Sequence, residues 1–322
     1  MPRTSKRKII IVKNIGFCSG VERAVKIAEE NSKKYGKVFT IDSLLHNETE
    51  IKRLKNKGIE VAGENSTGDA IIIPAHGSTE EEIEKFKKSF KNIVDATCPL
   101  VLRNVELVKK MKNEGYKIAI VGDKGHRETM VLQVTAGENL LGVFSKPEDI
   151  KHIKFSNKIA VIAQTTVTEE MLFKIGNDML KNGYEVRFFN TICNETIKRQ
   201  TESIDVARKV DCMLVIGGKT SANSKRLFEV IKRVNKNSYF IDNKLQVDNI
   251  DCSLCNSIGI TSGTSTPIWL IKKIIRQLID KKWRDTTISN EIAAWRAISN
   301  LSKATNFYWP VLNLTLSNFK FL

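Results

Sequence analysis

Nowhere in the chain is there a run of about 18 apolar residues, so no transmembrane helix is expected. The basic start, Met1 to Lys8, is followed only by Ile9-Ile-Ile-Val12 before Lys13. That run is too short for the apolar region of an export signal and reads as a first strand. A cytoplasmic location is therefore expected, and disulfides among the six cysteines are not. Aromatic residues make up only 7% of the chain, so stacking platforms for nucleic acid are not evident. No Gly-x-Gly-x-x-Gly follows a predicted strand. Gly217-Gly-Lys-Thr-Ser221 resembles a shortened P-loop but lacks the first glycine at the required spacing, which disfavours a nucleotide hydrolase. No segment is biased enough in composition to mark a linker or a disordered region.

What is present is a 322-residue chain, long enough for two or three domains, with a net charge of +16. Its lysines are scattered over many helical stretches rather than gathered into one stripe. The pattern fits a solvated surface that attracts anionic substrates and acidic partners better than it fits a nucleic-acid groove. Short Ile- and Val-rich runs alternate with amphipathic, charged segments: Lys8–Val12, Val38–Ile41, Ala70–Ile73, Ile93–Asp95, Lys117–Val121, Leu141–Phe144, Lys158–Ile162, Glu185–Phe188, Cys212–Ile216, Ser238–Ile241 and Ser257–Ile260 read as strands. Continuous apolar strands separated by helices predict an α/β fold with parallel sheets covered on both faces.

Cys18, Cys98 and Cys193 each follow a short apolar strand and precede a helical stretch, which suggests three similar modules with one cysteine apiece. A single cysteine at a strand end is more often a small buried apolar residue than a ligand. Three at matching junctions shift the balance towards a centre with one open coordination position, either zinc with a water or an iron–sulfur cluster with one iron not bound by protein. Cys252-Ser-Leu-Cys255 has no second pair near it and reads as structural, and Cys212 as core. The other strand-end loops collect polar chemistry. They carry His46 and Asn47, His76, His126 with Glu128, Gln164-Thr165-Thr166, Ser221-Ala222-Asn223, and Ser265. Parallel sheets bind ligands at the carboxyl ends of their strands, and this set of neutral donors suits a phosphate. Glu128 is either a proton donor beside such an anion or a helix N-terminal carboxylate.

Taken in order, Gly-Phe-Cys18-Ser-Gly-Val, Leu-His46-Asn47, Ala-His76-Gly, Asp-Ala-Thr-Cys98-Pro-Leu-Val, Gly-His126-Arg-Glu128, Gln164-Thr165-Thr166, Thr-Ile-Cys193 with Arg199-Gln200, Ser221-Ala222-Asn223-Ser-Lys-Arg-Leu and Thr-Ser-Gly-Thr-Ser265-Thr-Pro resemble the 4-hydroxy-3-methylbut-2-enyl diphosphate reductase family, from about residue 8 to about residue 282. The resemblance implies a trefoil of three α/β modules around one central [4Fe–4S] cluster held by Cys18, Cys98 and Cys193. The modules would span 14–97, 98–192, and 1–13 with 193–284, and an extension of unassigned role would span 285–322. It further implies that His46, His76, His126, Thr165, Ser221, Ala222, Asn223 and Ser265 bind the substrate and that Glu128 and Thr165 carry protons in catalysis. The family often has a second serine where Ala222 stands, so that contact is expected from the backbone or from neighbouring residues. The implied reaction is reductive removal of the substrate hydroxyl to give isopentenyl and dimethylallyl diphosphate, with two electrons from ferredoxin or flavodoxin. The readings that compete with it are a zinc-dependent phosphate-ester hydrolase and an iron–sulfur regulator that binds nucleic acid.

Overall fold

The computed structural model describes residues 7–282 and 286–289, apart from 152, 154–156, 183, 184 and 253. The strand β1 (Arg7–Ile11) comes first and is followed by three passes of one motif. The first pass is α1 (Ser19–Tyr35), β2 (Val38–Thr40), α2 (Glu48–Lys55), β3 (Ile59–Val61), β4 (Gly68–Ile73), α3 (Glu80–Lys87) and β5 (Phe90–Asp95). The second is α4 (Pro99–Asn113), β6 (Lys117–Val121), α5 (Arg127–Ala136), β7 (Leu140–Phe144), β8 (Lys158–Ala163), α6 (Glu169–Asn182) and β9 (Glu185–Phe189). The third is α7 (Asn194–Ala207), β10 (Cys212–Ile216), α8 (Ala222–Val234), β11 (Ser238–Ile241), β12 (Ser257–Ser262) and α9 (Ile268–Lys282), before β13 (Thr286–Ser289).

The three sheets share one strand order. They run β3-β2-β4-β5, β7-β6-β8-β9 and β11-β10-β12-β1-β13, with every pairing parallel. The third sheet takes its fourth strand from the start of the chain, because β1 pairs with β12 just as β5 pairs with β4 and β9 with β8. The α/β class and the three parallel-sheet modules agree with what the sequence implies.

Each sheet is packed between two apolar clusters, one per face. That is why central strands such as β6, β8 and β10 are almost wholly apolar rather than alternating. All five residues of β10 are buried. Each buried Ile or Leu contributes about 1.5–3 kcal/mol relative to exposure. Two strands were not anticipated, and both are short edge strands. Only Ile59 of β3 is buried, so β3 has no apolar run to betray it, and β13 is a four-residue Thr-Thr-Ile-Ser segment held by the edge of β1. The predicted extension beyond residue 289 lies outside the described residues.

Parallel topology puts every strand's carboxyl end on one side of its sheet, and the polar loops leave from those ends. Contacts between modules draw them together. An added Cβ at Gly218 would meet the carbonyl oxygen of His46 at 2.1 Å. Only glycine allows that loop of the third module to press on the histidine loop of the first.

Candidate functional site

Cys18, Cys98 and Cys193 are the N-cap residues of α1, α4 and α7. All three have extended backbone, and none uses its side chain to cap its helix. Each is anchored in the same way. Its N–H donates to a carbonyl two residues past the end of the neighbouring strand: Cys18 to Thr264 at 3.1 Å, Cys98 to Ala75 at 2.9 Å and Cys193 to Thr165 at 2.9 Å. The repeat holds three half-buried thiols where the positive ends of three helices stabilise negative charge. An added Cβ at Gly20 would lie 2.8 Å from the Cys98 sulfur, so the first turn of α1 closes directly on the second module's thiol.

Burial pushes the Cys18 thiol up to about 11, against the opposing pull of an N–H from Val21 and the charge of Arg199. Burial also raises Cys98, with Cys193 and Glu128 adding to the shift. Such thiols keep their protons until a metal displaces them. Among the described residues, no three or more His, Cys, Asp or Glu side chains gather so as to hold a single metal ion. A four-iron cluster is a larger body than a lone zinc ion and spreads its ligands. Arg199, one turn and a half beyond Cys193, is buried and bonds the carbonyls of Gly16 and Ser262 at 2.8 Å through Nη1. Its Nε and the Gln200 Nε2 are buried with no partner among the described residues. Unused donors of this kind suit the inorganic sulfides of a cluster, and the residues fit that group.

The histidine loops meet. The His46 ring stacks on His76 with centroids 5.7 Å apart, and His126 meets His46 edge-on at 5.9 Å. Burial, then the neighbouring His46 and His76, lowers His126 to about 4, and burial followed by His76 lowers His46. His126 Nδ1 accepts from the Glu128 N–H at 3.2 Å, so the neutral ring carries its proton on Nε2. His76 Nε2 sits 3.6 Å from Asp42 Oδ2, and that contact is the leading cause that lowers Asp42 to about 2. Neutral, desolvated rings at His46 and His126 offer donors for a multiply charged anion without burying full charge beforehand.

The sign of the pH effect follows. His126 has a folded pKa below its unfolded value of about 6.5, so its contribution to stability is complete above that value and is lost as the pH falls towards 4. The loss amounts to about 3 kcal/mol over that window. A His126→Asn variant is expected to show a flatter dependence of unfolding free energy on pH between 6.5 and 4 in urea titrations; an unchanged slope would contradict the buried neutral ring.

In the third module, Ser221 caps α8 by accepting from the Ser224 N–H at 3.3 Å, and Asn223 Nδ2 donates to Thr264 Oγ1 at 3.0 Å. Ser221, Asn223, Thr264 and Ser265 are buried. Ala222 is the first residue of α8, where backbone N–H groups have no partner within the helix and can serve an anion. Arg226 of α8 bonds Asp123 Oδ1 at 2.5 Å and the Thr166 carbonyl at 3.0 Å, tying this module to the loop that carries His126.

Glu128 lies in the first turn of α5, is 2% exposed, and is raised to about 7 by burial. Its carboxylate accepts from the Thr165 N–H at 2.8 Å and the Thr165 hydroxyl at 2.7 Å, both of which favour the charged form, as does Asn104. Desolvation wins over these bonds. Thr165 in turn supplies the carbonyl that anchors Cys193, so the acid and the thiol share one loop.

Several supporting residues were not singled out from the sequence. Arg127 bridges Asp42 at 2.9 Å and Glu82 at 2.6 Å, joining the first and second modules beside His126 and Glu128. Glu50 is fully buried at the start of α2 and accepts from Arg53 Nε at 2.9 Å and Trp269 Nε1 at 2.8 Å. It thereby clamps the His46-Asn47 loop to the helix that follows Ser265. No local pattern marks these residues, because their partners lie up to 219 positions away. Trp269→Phe strips one donor from a buried carboxylate, at a cost of about 1–3 kcal/mol. The midpoint of urea unfolding should fall accordingly, and an unchanged midpoint would deny the clamp.

Cys212, Cys252 and Cys255 are all buried in the third module's core, with Cys212 at the amino end of β10, away from the strand-end loops. Burial is the leading cause that raises Cys212 and Cys255. All three pack within that core.

The model of the family described as LytB protein matches residues 9–279. A relative from Campylobacter hominis named 4-hydroxy-3-methylbut-2-enyl diphosphate reductase is 39% identical over 280 residues, which is 84% of this chain and 98% of the relative. One of the same name from Geobacter sulfurreducens is 37% identical over 273 residues, covering 84% and 96%. A solved structure described as (E)-4-hydroxy-3-methyl-but-2-enyl diphosphate reductase, the terminal enzyme of the non-mevalonate pathway, is 35% identical with a TM-score of 0.62, covering 85% of this chain and 99% of the other. The E-1-hydroxy-2-methyl-but-2-enyl-4-diphosphate reductase of Plasmodium falciparum is 26% identical with a TM-score of 0.79, covering 93% and 99%.

Proposed function

The chain belongs to the LytB protein family, and from that premise we propose how its residues carry out the reaction. It is an enzyme with the activity of 4-hydroxy-3-methylbut-2-enyl diphosphate reductase, the terminal step of the non-mevalonate isoprenoid pathway. One [4Fe–4S] cluster is held by Cys18, Cys98 and Cys193. When bound it supplies the electrons and the Lewis acidity that loosen the substrate's hydroxyl. The modules divide at 97/98 and 192/193, where the second and third cysteines begin their helices.

The chain's own groups do the rest. His46, His76 and His126, with Ser221, the Ala222 N–H, Asn223 and Ser265, hold the diphosphate. The charge of the anion favours protonation of the His46 and His126 rings, whose pKa values burial lowers, so binding takes up protons. Glu128, raised to about 7, keeps a proton on its carboxyl near neutral pH and delivers it through the Thr165 hydroxyl at 2.7 Å to the departing oxygen. Two electrons and two protons enter and one water leaves, with isopentenyl and dimethylallyl diphosphate as products. Ferredoxin or flavodoxin supplies the electrons.

The observation that carries this reading is the position of one buried acid. Glu128 adjoins His126 in the anion loops, bonds Thr165 in the loop that anchors Cys193, and acts electrostatically on Cys98. Among the described residues no helix is long and apolar enough to cross a membrane. Six free cysteines support a reducing, cytoplasmic setting. The test is anaerobic purification followed by iron and sulfide analysis and turnover with reduced methyl viologen. A brown protein with about four irons per chain is expected. A colourless protein holding one zinc would refute the reading.

A further inference from the structure

We propose that Asn104 is a positioning residue for the reaction: at the inner end of a groove open to solvent, it holds the water that returns a proton to Glu128 after each turnover. The inference rests on the role of Glu128 proposed above. In that role one proton leaves the carboxyl with the departing oxygen, as water. The carboxylate left behind must be protonated again before the next cycle. The substrate's side is a poor source. Glu128 is almost wholly buried, and so is Thr165, whose N–H and hydroxyl bond its carboxylate. The proton therefore needs a second way in.

The fold provides one. A groove of about 260 Å³ runs between α4 and the segment that leads from β9 into α7. Its rim is exposed, at Leu100 and Arg103 of α4, at Asn190, and at Asn194 of α7. Each water in the liquid takes about 30 Å³, so the groove has room for several. Asn104 also lines it, and Asn104 is only 2% exposed. It stands on α4, which packs on α5, the helix that carries Glu128.

Asn104 is out of place by the logic of packing. The other buried residues of α4 are Val101, Val108 and Met111, an apolar stripe into which an amide intrudes. That amide acts on Glu128, where it favours the charged form. The contact is not a closed hydrogen bond, because Asn104 Nδ2 is buried with no partner among the described residues. An open donor of this kind is costly to bury unless something completes it. A water that accepts from Nδ2 and donates to the Glu128 carboxylate completes both groups. It passes its proton to the carboxylate and takes another from the waters behind it in the groove, so bulk solvent supplies the proton and nothing else is consumed. Asp123 and Cys98 also interact electrostatically with Glu128, but neither lines the groove. Asn104 does both.

The test uses the holoenzyme with reduced methyl viologen as the electron source. Asn104→Leu replaces the amide with an apolar group suited to the stripe. Its kcat should fall about tenfold while KM for the diphosphate stays unchanged, and the solvent deuterium isotope effect on kcat should rise as proton return becomes the slow step. The midpoint of urea unfolding should be no lower than the parent's, since no hydrogen bond is lost. Asn104→Ala leaves space beside the acid. Ammonium, a small proton donor, should restore its turnover at constant pH and ionic strength, whereas Asn104→Leu should not respond. An unchanged kcat and isotope effect in Asn104→Leu, or no rescue of Asn104→Ala, would overturn the proposal and leave Glu128 as the acid. If Asn104→Leu fails to fold, the rescue of Asn104→Ala decides alone. Full turnover by Glu128→Gln would instead overturn the role of Glu128, and the proposal with it.

Discussion

Glu128→Gln is expected to bind the cluster and the diphosphate as the parent does, and to turn over about 10²–10⁴ times more slowly. Glutamine keeps the volume of the side chain and an oxygen to accept the Thr165 N–H, but it has no proton to deliver. The visible spectrum and iron content should be unchanged, which separates a lost proton from a lost cofactor. The loss should appear in kcat rather than in KM, since the diphosphate contacts are made by other loops. Turnover within a few-fold of the parent would remove Glu128 from the mechanism. The same substitution carries a signature in stability. The folded pKa of Glu128, about 7, lies above its ordinary value of 4.5. Its contribution is therefore complete below about 4.5 and is lost as the pH rises through 7, at a cost of up to about 3 kcal/mol. The apoprotein variant should gain stability over the parent at pH 8 and show little difference at pH 4.5.

Replacing a thiol should have the larger effect. Cys98→Ala should leave a cluster with two protein ligands while sparing the start of α4, because the Cys98 side chain makes no capping bond. Iron should fall well below the parent's about four per chain and the brown colour should be lost. Activity should drop by at least a thousandfold, about 4 kcal/mol in transition-state terms. Cys18→Ala and Cys193→Ala should behave alike, because the three residues share one backbone setting. Cys212→Ala and Cys255→Ala serve as controls. They take a buried sulfur from the third module's core, which costs about 1 kcal/mol of stability, and should leave iron and turnover intact. Equal iron loss in the two sets would show that the cluster does not discriminate these cysteines.

The fold was largely legible because its signals are local. Runs such as Cys212–Ile216 and Ile159–Ala163 are apolar from end to end and bounded by turns, the mark of strands covered on both faces. Pro99 directly after Cys98 marks a helix start. The strands that escaped notice, β3 and β13, are edge strands defined by a neighbour rather than by their own residues. The site was legible as a set of residue types at strand ends, and the order of nine motifs connected them to one family. Its network was not legible. Arg127 to Asp42, Arg226 to Asp123 and Trp269 to Glu50 join residues 85, 103 and 219 positions apart, and no periodicity spans such distances.

The three cysteines show where the division falls. The chain by itself determined that each stands between a strand and a helix and that the loops around them carry neutral donors suited to an anion, since both depend on neighbours within a few residues. Only the tertiary structure decided that β1 joins the third sheet and so brings Cys18 beside Cys193, and that Gly20 closes on Cys98. Only it decided that Glu128 keeps its acid proton near neutrality while His126 stays a neutral ring, although both stand at the start of the same helix. Those properties depend on which surfaces are removed from water, and burial is set by side chains from all three modules.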